Sequence, residues 1–121
     1  MKTSNPGAAF NHVTIANGFA FLAGHLAADT VKGAPALGDI AVETRTTMGL
    51  LKAVLADIGL GFKDVVRATV YMTDLSEFDR MNKVYVSYFP KGRAPARTTV
   101  GVATLLFGCR VEIDCVARLR R

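Results

Sequence analysis

The stretch "DVVRATVYMTDLSEFDRMNKVYVSYFP", residues 64–90, holds two elements of different period in direct succession. From 64 to 73 the residues alternate, with Val66, Ala68, Val70 and Met72 on one side and Arg67, Thr69, Tyr71 and Thr73 on the other. A period of two predicts a half-exposed strand. At Asp74 the period changes. Asp74 reads as an N-cap, and Glu77, three residues on, as its capping-box partner. Leu75, Phe78, Asn82, Tyr85 and Phe89 then share one helical face, and Pro90 and Gly92 stop the helix. One member of that face is not apolar. An amide at position 82, if buried, must be hydrogen-bonded.

The same reading extends in both directions. Upstream, "HVTIA" (12–16) and "FAFLA" (19–23) are short β-prone runs separated by Asn17-Gly18, the strongest short hairpin signal. Residues 24–38, "GHLAADTVKGAPALG", are rich in Gly, Ala and turn formers and read as a loop. Asp39 can then cap a helix whose apolar face is Thr44, Met48, Leu51, Leu55 and Ile58, with Gly59 as its left-handed end. Downstream, two strands at 97–103 and 110–118 flank a loop near "LLFG". The order β-β-α-β-α-β-β, with no repeat and no linker, predicts one α+β domain over 1–121, a two-layer sandwich with helices on one face of a mixed sheet. "FAFLA" and "RVEIDCVA" are apolar on both faces, which a single helical layer cannot cover. The second face is therefore expected to be buried by self-association.

Composition narrows the function classes. Half of the 121 residues are apolar, enough for a core and too many for disorder. No apolar run approaches the roughly 20 residues that span a bilayer, and "MKTSNPGAAF" lacks a signal-peptide core, so a cytoplasmic protein with no membrane partner is expected. Cys109 and Cys115 are too few for a disulfide framework and read as buried thiols. The net charge of +5 is partly local to Arg118, Arg120 and Arg121, which no aromatic residues interleave, so a nucleic-acid partner is not expected. His12 and His25 lack metal-ligand spacing and read as surface or loop histidines.

The chemistry-bearing candidate is Arg97 in "RAPARTTVGV", residues 93–102, a permanent charge at the first residue of a strand. If the last two strands form a hairpin centred on Leu105–Leu106, Arg97 falls opposite Asp114 and Thr99 opposite Glu112. One reading is a cross-strand salt bridge. The other is a carboxylate-binding site, in which the arginine fork grips a ligand carboxylate through two parallel bonds and Asp114 orients a water.

The chain resembles the Rid (YjgF-like) proteins, the reactive intermediate deaminases also known as endoribonuclease L-PSP. The resemblance is carried by "FLAGH", the 64–90 block and the "PAR…VEIDCVA" ending. It implies a fold like that of chorismate mutase and a homotrimer with a central barrel-like core and three clefts between subunits. It implies that Arg97 binds the ligand carboxylate, that Asp114 stands where a glutamate is associated with the hydrolytic water, and that Asn82 supports the cleft. Phe10 takes the place of a tyrosine and Thr99 that of a cysteine; both belong to the implied substrate-binding set with Arg97 and Asn82. The implied activity is hydrolysis of 2-imino or 2-enamino acids to 2-keto acids and ammonia, with no metal or organic cofactor. The alternatives are a non-catalytic module that binds a carboxylated metabolite and, third, an endoribonuclease.

Overall fold

Asn17 and Gly18 both adopt positive φ, 51° and 84°, and join strands β1 (Val13–Ala16) and β2 (Phe19–His25) into a tight antiparallel hairpin. The computed structural model describes residues 11–29 and 37–120. A short 3-10 turn, Ala27–Asp29, follows β2. Helix α1 (Ile40–Asp57) starts where the sequence predicts: the Asp39 carboxylate accepts the Val42 N–H at 3.0 Å. Past its end Gly59 takes φ +75°, the left-handed conformation a glycine adopts without a Cβ penalty. Strand β3 (Val65–Met72), helix α2 (Phe78–Val86) and strands β4 (Ala96–Gly101) and β5 (Val111–Arg118) complete the predicted order.

The five strands form one mixed sheet in the order β1-β2-β5-β3-β4. β5 is antiparallel to both β2 and β3, and β4 is parallel to β3. Both helices cover one face. Thr44, Met48, Leu51 and Leu55 of α1 and Met81 and Tyr85 of α2 are buried against Ala20, Leu22, Ala68, Val70, Met72, Ile113 and Cys115 of the sheet. The α+β two-layer sandwich expected from the periodicities is what forms. Both cysteines are buried free thiols, as expected. Among the described residues, no helix is long and apolar enough to cross a membrane.

The tertiary structure corrects five local readings. The last two strands are not a hairpin: β3 lies between them, and β4 runs parallel to it. In β3 the apolar face includes Val65 rather than Val66, which is 40% exposed, because a register irregularity between Val65 and Arg67 resets the alternation. Asp74 caps a 3-10 turn, Leu75–Glu77, by accepting the Ser76 N–H at 3.0 Å, and α2 starts only at Phe78. Glu77 does not close a capping box; its carboxylate pairs with Arg110 at 3.0 Å. His25 is neither a surface nor a loop residue: it ends β2 and is 1% exposed.

Candidate active site around Arg97

Arg97 is the second residue of β4 and pairs with Ala68 of β3, which in turn pairs with Cys115 of β5. Paired residues share a face of the sheet, and Ala68 and Cys115 are buried on the helix side. Arg97 therefore projects toward α2. There its Nη1 donates to the Asn82 amide oxygen at 2.6 Å. Its guanidinium carbon stands 4.8 Å from the Tyr85 ring centroid and 5.3 Å from that of Phe78. This answers the anomaly of the α2 face: Asn82 is half-buried and polar there because its oxygen holds an arginine.

The electrostatics follow from what holds the guanidinium. A neutral amide and two aromatic faces orient the fork without neutralising it. The two ion pairs among the described residues, Arg110–Glu77 and Arg120–Asp64, leave Arg97 out. A half-buried, oriented and uncompensated cation is what a ligand carboxylate requires. Thr99 lies two residues further on the same face, and its hydroxyl is buried without a hydrogen-bond partner. The Tyr85 hydroxyl is likewise buried and unpartnered, and burial pushes its pKa up to about 12. Cys115, in line with Arg97 across Ala68, is also pushed up to about 12 by burial and remains a thiol.

Asp114 is elsewhere. It pairs with Thr69, which pairs with Thr98, and this row projects from the face opposite to the helices. Its carboxylate accepts the Tyr71 hydroxyl at 2.8 Å, which raises the tyrosine pKa, with burial adding to the shift. The Arg97–Asp114 pairing expected from a hairpin does not form. The intervening β3 offsets the two residues so that they point to opposite sides of the sheet. Of the predicted site residues, the structure brings together Arg97, Asn82 and Thr99 and separates Asp114 from them. Phe10 lies outside the described residues.

The face that carries Asp114 is open in the single chain. Phe21, Phe19 and Val100 are 45%, 37% and 37% exposed, and the register places them on this face with Val116. Glu112 lies in the same layer, opposite Tyr71. Where β2 ends, a cavity of about 450 Å³ opens beside Glu112, His25 and Asp29. Sequence reasoning missed this cluster. The Asn17-Gly18 hairpin was the available signal: it sets His12 across from Ala23, where the Ala23 N–H donates to the His12 carbonyl at 2.9 Å, and brings the two histidine rings to 5.4 Å.

Comparison with known proteins shows the family. Residues 2–119 match the family model described as Endoribonuclease L-PSP. A RutC family protein of Synechocystis is 40% identical over 118 residues, covering 94% of this chain and 88% of that protein. The human 2-iminobutanoate/2-iminopropanoate deaminase is 33% identical over 97 residues, covering 80% and 70% of the two chains. A crystal structure of a Yersinia pestis protein of the Rid family superposes with a TM-score of 0.88 at 27% identity, covering 98% of this chain and 96% of that one.

Proposed function

Because this chain belongs to the Rid (endoribonuclease L-PSP) family, we propose that it hydrolyses 2-imino or 2-enamino acids to 2-keto acids and ammonia. The observation that carries the reading is Arg97: a half-buried guanidinium fixed by Asn82 and two aromatic rings, with no carboxylate among the described residues paired to it. Its remaining N–H groups can take both oxygens of a substrate carboxylate. Backbone groups at Thr99 position the ligand beside it. A water then adds to the imine carbon. The new C–O bond forms as the C=N electron pair moves to nitrogen, while a carboxylate base takes one water proton and passes it to that nitrogen. The base then relays the hydroxyl proton to the amine as the C–N bond breaks, leaving the ketone and ammonia. Asp114 is the assigned base. Within one chain it faces away from Arg97, so the reading requires that Asp114 of a neighbouring copy close the cleft, as in the homotrimer that the sequence suggests. The open apolar sheet face gives such an assembly a surface to bury.

The test is ammonia release from an enamine generated in situ by a pyridoxal-phosphate enzyme. Arg97→Ala is expected to abolish the protein-dependent release; activity equal to that of the unaltered protein overturns the assignment.

One observation favours a second reading. Asp114 already accepts the Tyr71 hydroxyl at 2.8 Å, and Thr99 adds no thiol beside the arginine. A site that holds a carboxylated metabolite without turning it over fits those facts. Calorimetry with small 2-keto acids, run beside the ammonia assay, separates the two: binding without turnover supports the binding module.

A further inference from the structure

The furrow between the two helices concentrates positive charge. Ala41, Arg45 and Lys52 fall on one stripe of α1, and Arg80, Lys83 and Ser87 on one stripe of α2 and its C-cap. Two adjoining cavities lie there. The first, about 420 Å³, is lined by Arg45, Arg80 and Lys83. The second, about 490 Å³, is lined by Lys52 and Lys63, and Ser87 and Tyr88 border both. We propose that this furrow docks an extended acidic peptide, a segment of a partner protein in which carboxylate and apolar side chains alternate.

The charge is not answered within the chain. Among the described residues the ion pairs are Arg110–Glu77 and Arg120–Asp64, which include none of these cations, and no carboxylate lines either cavity. Asp39 feels the field of Arg80 and Arg45, but its carboxylate is committed first to the Val42 N–H at 3.0 Å. Segments 1–10 and 30–36 contain no aspartate or glutamate, so they do not supply the complement. An anionic partner relieves this crowding of like charges. Length and floor say which anion. Ala41 to Lys52 span about 16 Å of helix, which roughly five residues of extended chain cover. A compact metabolite would leave part of that length empty. Val84 and Phe62, both buried, form an apolar floor between the cations, suited to the alternate side chains of a strand. The Tyr88 ring packs edge-on with Phe62 at 5.6 Å, and its hydroxyl faces the Arg45 carbonyl oxygen at 3.4 Å. It is a wall of the furrow rather than the stacking platform a single-stranded nucleic acid uses.

The probe is the peptide acetyl-Glu-Leu-Glu-Val-Glu-amide, with its all-glutamine counterpart as the neutral control, titrated into the full chain by calorimetry and followed by amide NMR shifts. The acidic peptide is expected to bind about tenfold more tightly than the neutral one, to lose that advantage as salt is raised, and to shift the Arg45, Lys83 and Ser87 amides. Arg45→Gln combined with Lys83→Gln removes two exposed charges from the furrow without touching the core, and is expected to weaken binding about tenfold or more. Arg67→Gln removes a charge from the opposite side of the sheet and is expected to leave binding unchanged. Arg97→Ala is expected to do likewise, which separates this proposal from the deaminase reading. Equal affinity for the two peptides, shifts confined to other parts of the chain, or undiminished binding by the double variant would overturn it. Tighter binding of a single-stranded oligonucleotide of equal charge at the same amides would overturn it too, by assigning the furrow to nucleic acid.

Discussion

Replacing Asn82 by Asp is the sharpest probe of Arg97. The substitution is isosteric and puts a carboxylate where the amide oxygen now accepts from Arg97 Nη1 at 2.6 Å. The nearby guanidinium keeps that carboxylate ionised. The variant therefore gains an ion pair and has no steric reason to unfold. Ligand binding pays for it. A substrate carboxylate on the opposite edge of the fork stands about 6 Å from position 82, and at an effective dielectric of about 20 two such charges repel by roughly 3 kcal/mol. That is on the order of a 100-fold loss of affinity. Asn82→Ala, by contrast, frees the Nη1 proton without adding a charge, and its cost comes from lost orientation alone. Calorimetry with a small 2-keto acid should rank the proteins as unaltered, then Ala, then Asp, with the Asp variant recovering partly at high salt as its repulsion is screened. An Asp variant that binds as tightly as the unaltered protein refutes the placement of the ligand carboxylate on Arg97.

Two other outcomes follow from buried titratable groups. Glu112 has a raised pKa in the folded chain, so folding favours its protonated form; the associated stability is present below its ordinary value of 4.5 and is lost as pH rises through the raised folded value. Glu112→Gln should therefore melt at a higher temperature than the unaltered protein near neutral pH, with the gap closing in acid; a gap that widens in acid contradicts the sign. Cys109 and Cys115 both have pKa values raised by burial, Cys115 to about 12, so neither should react with a thiol reagent in the native state near neutral pH. Mass spectrometry before and after denaturation checks this, and rapid native labelling of Cys115 would show that the sheet opens there.

The elements themselves were legible because each is set by local chemistry. The Asn17-Gly18 turn, the Asp39 cap and the Gly59 stop are decided by φ preferences and one side-chain hydrogen bond, and all three stand where the sequence puts them. The periodicity of α1 was sufficient to name its buried face. Asn82 was recognisable as an anomaly, since an amide on an apolar helical face needs a partner, but nothing in α2 says which residue supplies it.

What the sequence could not decide was which strand lies beside which. Local pattern is the same whether β4 and β5 form a hairpin or insert on either side of β3, because each strand alternates in either case. The choice falls to long-range burial: β5 is apolar enough on its helix face to take the centre of the sheet, and β4, shorter and more polar, takes the edge. That single choice turned Arg97 toward Asn82 and Asp114 toward Tyr71. The sequence alone determined the elements, the layers and the arginine; the tertiary structure decided the arginine's partner, because the faces of a sheet are assigned by pairing between strands and not by the alternation within one.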